Sequence, residues 1–295
     1  MNYKYKILTD FSVDITPEFA AENDIGFIPM SYTIGDEEFN CDHVETEEER
    51  RRFYKAQREG VLTHTAQSSI QSCIDTFEKY ASQGMDILSF SLSSGLSGSY
   101  SSACLAASEV MEDNPGVKIV VIDSLSATGG LGLLLELAAK NRADGMSIDE
   151  NADWLNANKL RIMHWFMVDD LMFLQRGGRL SVASALLGTA FSIKPILKIE
   201  ADGTLTNFIK KRSTKQAMAE IIRLYDESSY KNDGEIVYVI HADAIECAEY
   251  LKAEVLKLNP AAQIRTVQLS PVIGAHTGPG MCAVVNFSKP EFARG

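Results

Sequence analysis

Short apolar runs alternate along this chain with longer blocks whose apolar positions repeat at helical spacing. Residues 4–8 read as a first strand, ending in Thr9-Asp10-Phe11-Ser12, and Thr16-Pro17 opens a short helix with proline in its first turn. Residues 25–32 form a second apolar run. It reads as an edge or irregular strand, because Pro29 has no N–H to give to a ladder. Residues 35–39 read as a turn and a short extended piece, and 46–59 as a charged surface helix. Ile70, Cys73, Ile74 and Phe77 fall at i, i+3, i+4 and i+7, one face of a helix. A strand over 87–92, a Ser/Gly turn and a helix to about Asn114 follow, stopped by Pro115-Gly116. A strand over 118–122 and a helix over 129–143 complete the alternation, which predicts a parallel sheet with helices on its faces.

The capping box Ser147-Ile148-Asp149-Glu150 starts another helix, and the pattern changes near residue 158. Residues 161–168 are strand-like. The runs 195–200 and 204–210 flank Ala201-Asp202-Gly203 and read as a hairpin with an Asp-Gly turn. Residues 215–226 and 244–258 are helical, while 235–241, 263–269 and 281–287 are strands. The fold class expected is α/β. A parallel-sheet domain spans 1–158, and an α+β domain with a mixed sheet spans 159–295. No internal repeat or low-complexity linker interrupts them.

Composition narrows the function. With 45% hydrophobic and 23% charged residues the chain is globular, and it is long enough to bury a core and still keep a pocket. A formal net charge of -12 repels phosphodiester backbones and anionic headgroups, which argues against a nucleic-acid partner and a polybasic membrane patch. It leaves room for an apolar ligand held inside. Cys41, Cys73, Cys104, Cys247 and Cys282 are odd in number and lack C-x-x-C or zinc spacing, so free thiols and no metal are expected. The apolar stretch at the start is too short for a signal peptide. The uncharged run 87–108 carries nine serines and a Gly-rich turn, so it reads as strand, loop and helix rather than a membrane span. A cytoplasmic protein is the expectation.

Four segments could carry chemistry. Ser93-Ser94-Gly95-Leu96-Ser97-Gly98 follows a strand and opens a helix, where free N–H groups and hydroxyls gather to hold an anion. It has neither the lysine of a P-loop nor the G-x-G-x-x-G spacing. Thr63-His64-Thr65-Ala66-Gln67-Ser68-Ser69 precedes a helix; Ser68 or Ser69 serves as N-cap and leaves Thr65 spare. Ser270-Pro271-Val272-Ile273-Gly274-Ala275-His276-Thr277-Gly278 reads as a loop that sets one histidine among small residues, unlike His43, His64, His164 and His241. Arg176-Gly177-Gly178-Arg179 reads as a glycine-capped helix end whose arginine pair could orient acids, leading into the uncharged stretch 182–193.

In this order the four segments resemble the DegV family, which includes the fatty-acid-binding subunits of bacterial fatty acid kinase. The resemblance runs from Thr9-Asp10 to His276-Thr277-Gly278. It implies a protein that binds a long-chain fatty acid and presents its carboxylate to a kinase subunit for conversion to acyl phosphate. No cofactor and no catalytic residue of its own are implied. By the same resemblance Thr65, Ser97 and His276 contact the carboxylate. Ser94, in the same turn as Ser97, and the G-G-R arginine Arg179 are further ligand candidates. Arg212, in Lys210-Lys211-Arg212-Ser213-Thr214, is the residue tied to the kinase partner. Phe11 stands where the family usually has Ser, and Ala66 and Ser68 replace its usual Ser and Pro, changes that bear on loop shape and lipid preference.

The physics agrees with that picture. A buried carboxylate is costly unless its oxygens are hydrogen-bonded, and two hydroxyls with an imidazole can supply donors. Phe27, Ile28, Leu186, Leu187, Phe191 and Ile193 are candidate tunnel walls, although for any one of them plain core is the better reading. One rival is a serine-type acyl hydrolase with Ser97 as nucleophile and His276 as base. Gly95-Leu96-Ser97-Gly98 is one residue short of a nucleophile elbow, and no acid is an obvious orienter for the histidine. A binder of a small phosphate or polar ligand at the same helix end is the other rival.

Overall fold

The computed structural model describes residues 4–180 and 193–295. The chain begins with β1 (Tyr5–Asp10), α1 (Pro17–Glu22), β2 (Ile25–Ile28), β3 (Met30–Ile34), β4 (Glu37–Cys41), α2 (Glu47–Arg58), β5 (Thr63–Ala66) and α3 (Ile70–Ala81). It continues through β6 (Asp86–Ser91), α4 (Ser99–Asp113), β7 (Ile119–Asp123), α5 (Thr128–Ala143), α6 (Ile148–Asn158), β8 (Ile162–Met167) and α7 (Met172–Arg176). After residue 192 come β9 (Lys194–Ile199), β10 (Leu205–Lys211), α8 (Thr214–Ser228), β11 (Ile236–His241), α9 (Ile245–Leu258), β12 (Gln263–Gln268), α10 (Pro271–Thr277) and β13 (Cys282–Phe287).

The fold is α/β, as expected. Strands β2-β1-β6-β7 form a parallel sheet, joined by helices as parallel neighbours require. Strands β10-β9-β8-β13-β11-β12 form a mixed sheet in which only β11 and β12 pair in parallel, with α9 as their crossover. One correction concerns residues 25–34. Pro29 divides the expected single strand, so β2 stays in the parallel sheet while β3 leaves it to pair antiparallel with β4 and β5. That third, small sheet turns residues 63–66 into a strand, where the sequence pattern suggested only a helix entry. The true N-cap is Ser69, whose hydroxyl accepts from the Ser72 N–H.

Local signals explain the helix ends. Thr46 and Ser147 each close a capping box, with Glu49 and Glu150 respectively. On α3, Cys73, Phe77 and Ala81 turn inward against Ala103, Ala106, Ala107 and Val110 of α4, a small-residue face that brings the two helices together. Truncating the fully buried Phe77 to Ala removes a side chain worth about 3–5 kcal/mol in such a setting.

Helix α5 organises the interior. It is buried on nearly every side, and its one acid, Glu136, is held by Tyr238 at 2.7 Å and by two bonds from Arg265 at 3.0 Å. A single apolar core takes in β1, β6, α5 and the strands β8, β11 and β13, so the parallel and mixed sheets share it. The mixed sheet comes close to α5 because Gly130 has no side chain. A Cβ there would sit 1.9 Å from Nε2 of His164. Gly130→Ala is therefore expected to force the imidazole or the helix aside and lower stability by about 1–3 kcal/mol. Chemical denaturation of the variant measures it; an unchanged midpoint would mean the contact is soft.

Candidate functional site

Four chain segments meet at one end of α5. On β5, pleating turns Thr63 and Thr65 inward and leaves His64 and Ala66 exposed. Thr65 pairs across the strand with Tyr32. The segment expected as a loop around His276 is instead the short helix α10, opened by Pro271 at its first turn and ended at Gly278, whose φ is 70°. His276 lies in its last turn. There its Nε2 is 2.8 Å from Thr65 Oγ1, a contact between residues 211 apart in sequence.

The turn 93–98 brings the third group. Ser93 anchors it by donating to the Gly203 carbonyl at 2.8 Å. The Ser97 hydroxyl accepts from the Ser99 N–H at 3.2 Å and lies 3.0 Å from the Ser99 hydroxyl, which accepts from the Ser68 N–H. This chain of contacts ties the turn to the end of β5. The fourth group is Arg179, just past α7. Its Nε donates to the Leu96 carbonyl at 2.9 Å and its Nη1 to the Gly177 carbonyl, so the guanidinium bridges the serine turn and the glycine turn.

Thr65, Ser97, Arg179 and His276 all line one cavity, together with Gln67. It takes in about 780 Å³ of space between atoms, part of it open to solvent. Beyond this polar end the walls are Met30, Leu92, Leu96, Phe166, Ile199, Leu205, Ile240, Val272 and their neighbours, with Thr128, His164 and Thr277 as the polar exceptions. Phe27 and Ile28 do not line it. Phe27 stacks on Phe11 at 4.7 Å, and Ile28 faces α3, buried with Leu8, Cys73 and Phe77. Ile193 is partly buried away from the lining, and Leu186, Leu187 and Phe191 lie outside the described residues. The true walls escaped sequence reading because inward residues of a cavity strand alternate just as core residues do.

The other two candidates stand apart. Ser94 is exposed outside the cavity lining, and its N–H donates to Asp123 at 3.1 Å. Arg212 lies just past β10 in a separate surface depression with Lys210, Lys211, Gln216, Glu220 and Arg223.

The electrostatics of the polar end are one-sided. Burial lowers the pKa of the Arg179 guanidinium, and among the described residues no carboxylate pairs with it. Burial, then Arg179, then His64 push the His276 imidazole down to about 4, so it is neutral at pH 7. Its Nδ1 is buried without a hydrogen bond, against Gly177, where a Cβ would come within 2.3 Å. No carboxylate lines the cavity. A hydroxyl pair, a neutral imidazole and an unpaired half-buried arginine make an anion-accepting end on an apolar chamber.

A family model described as "Uncharacterised protein, DegV family COG1307" matches residues 4–289. A DegV domain-containing protein of Clostridium perfringens is 34% identical over 281 residues, covering 95% of this chain and 96% of the relative. The crystal structure of DegV from Bacillus subtilis, described as a fatty acid binding protein, superposes with a TM-score of 0.84 at 30% identity, over 98% of this chain and 100% of that one. The Fak B3 protein of the Streptococcus pneumoniae fatty acid kinase, loaded with linoleic acid, has the same fold, with a TM-score of 0.84 at 22% identity over 97% and 100% of the two chains.

The site makes a pH prediction. His276 has an ordinary pKa near 6.5 when unfolded and about 4 when folded. Between these values the unfolded chain takes up a proton that the folded chain refuses, so stability falls as pH drops through the window. Buried Asp10 and Asp14, with raised carboxyl pKa values, pull the opposite way, which makes a comparison necessary. The loss of melting temperature between pH 7 and pH 4.5 is expected to be smaller in His276→Gln than in wild type. Parallel curves would mean the histidine titrates normally.

Proposed function

The chain belongs to the DegV family, and on that footing we propose that it holds a long-chain fatty acid in the apolar cavity and presents the carboxylate at the polar end to a kinase subunit. The observation that carries the reading is Arg179. A half-buried guanidinium with no carboxylate beside it, in a chain of net charge -12, is satisfied by an anion from outside. Thr65, Ser97 and His276 stand around the same space to bind that anion's oxygens, and the wall behind them suits an acyl chain. The Bacillus subtilis relative described as a fatty acid binding protein supports the ligand class.

The arrangement favours holding over hydrolysis. His276 is paired with Thr65 rather than with Ser97, and its other nitrogen faces no acid that would orient it as a base. Ser97 is hydrogen-bonded within its own turn. A carrier has use for donors that bind a carboxylate without activating a nucleophile. The reaction would then take place on the partner, whose ATP supplies the phosphoryl group.

Protein purified from a bacterial host is expected to release a fatty acid on solvent extraction, identified by mass spectrometry, and to melt at a lower temperature once stripped. Ser97→Ala is expected to weaken rebinding by about 1–3 kcal/mol, the cost of one missing buried partner. An empty extract with no thermal shift on adding lipid would sink the proposal.

Arg212 serves the other half of the function. It is exposed, as is Lys210, in a basic run whose middle residue, the half-buried Lys211, pairs with Glu220, and it is suited to orienting an acidic partner surface. With a cognate fatty acid kinase and ATP, Arg212→Ala is expected to lower acyl phosphate formation while lipid content and melting temperature stay normal. Loss of lipid would assign Arg212 to the fold, and unchanged turnover would end the docking role.

A further inference from the structure

The imidazole of His276 is a wall shared by two cavities. On the Nε2 side is the chamber with Thr65; on the other is a second cavity enclosing about 380 Å³ between atoms. The second is lined by Thr63, His64, Arg176 and Gly177, with Phe173 and the exposed Leu62 at its edge. The two cavities are built from the same segments in the same order. Strand β5 gives Thr65 to the first and Thr63 to the second, about 7 Å apart along the strand. The turn after α7 gives Arg179 to the first, and the last residue of α7, Arg176, lines the second. No carboxylate lines either cavity.

Arg176 is free to accept an anion. Its guanidinium stacks on the Phe173 ring at 4.7 Å and makes one hydrogen bond, from Nε to the Met172 carbonyl at 3.3 Å. Among the described residues it has no ion pair. The unpartnered Nδ1 of His276 is buried against Gly177, which belongs to the lining of this same cavity.

From this pairing of cavities we infer that the second one is a phosphoryl site, which holds the phosphate of an acyl phosphate whose acyl chain occupies the first. The inference rests on the fatty acid reading above. In the reaction it serves, a carboxylate oxygen attacks the γ-phosphorus of ATP on the partner. The bond from that phosphorus to the bridging oxygen breaks, and its electron pair leaves on ADP. The headgroup changes from a single negative charge to about two and gains three strong acceptor oxygens. A clamp sized for a carboxylate does not cover that larger dianion. Arg176, the Thr63 hydroxyl and His64 supply further charge and donors beside it.

The test titrates the stripped full-length protein with hexadecanoic acid and with 2-oxoheptadecylphosphonate, the carbon-bridged analogue of hexadecanoyl phosphate. Arg176→Gln is expected to weaken binding of the phosphonate about tenfold, as for the loss of one charge-assisted hydrogen bond. It leaves the affinity for the acid and the melting temperature unchanged. Arg176→Lys, which keeps the charge, recovers part of the loss, and the phosphorus resonance of the bound analogue moves between wild type and Arg176→Gln. An unchanged affinity for the phosphonate overturns the assignment, and so does an equal loss for acid and phosphonate, which would place Arg176 in the fatty acid site. If wild type binds neither compound, the fatty acid reading fails and this inference with it. If wild type binds the acid but not the phosphonate, only the phosphoryl site fails.

Discussion

A helix roughly 10 Å across, placed in the core between two sheets, sets the geometry of this protein. Over the length of α5 that space is filled, and the mixed sheet closes on the helix tightly enough that Gly130 must lack a side chain. At Ala127 and Thr128 the helix has only begun, and both residues line the cavity. The chamber opens beyond the start of the helix, against the mixed sheet and the small sheet of β3 and β5. Its walls are consequently the same strand faces that form core elsewhere, which explains why they are apolar without any special sequence.

The open end of that chamber is governed by charge. Acids outnumber bases along the chain by 40 to 28, yet the polar end holds Arg179 and His276, and the neighbouring cavity Arg176 and His64, with no acid among the described lining residues of either. Desolvating a guanidinium whose partners are the Leu96 and Gly177 carbonyls rather than an acid is costly, and the proposed carboxylate would offset that cost. The same burial keeps His276 neutral, able to donate from one nitrogen and accept at the other.

Much of the fold was legible in the sequence because its elements announce themselves locally. The capping boxes at Thr46 and Ser147, the Asp-Gly turn at 202–203 and the apolar face of α3 each depend on neighbours a few residues away. The failures are tertiary. Pro29 warned of an irregular strand, but nothing local revealed that β3 would join a separate sheet and draw residues 63–66 into it. Small, rigid residues around His276 suggested a loop, whereas packing makes them a helix turn. At the site, Thr65, Ser97, Arg179 and His276 were found through the ordered resemblance of four segments, not through any motif strong enough alone. Phe27 and Ile28 were chosen as walls for being apolar, a property that cannot separate a cavity lining from a core.

The contact between Thr65 and His276 joins residues 211 positions apart, and β13, which supplies part of the cavity wall, is the last strand of the chain. A chain leaving the ribosome has completed its parallel sheet long before either of these exists. Until the final residues emerge there is an apolar sheet face but no enclosed chamber and no polar end. On the fatty acid reading, capture of cargo is thus left to the finished polypeptide. A prematurely terminated chain lacking α10 and β13 has no enclosed space for a ligand, however well its first sheet has formed.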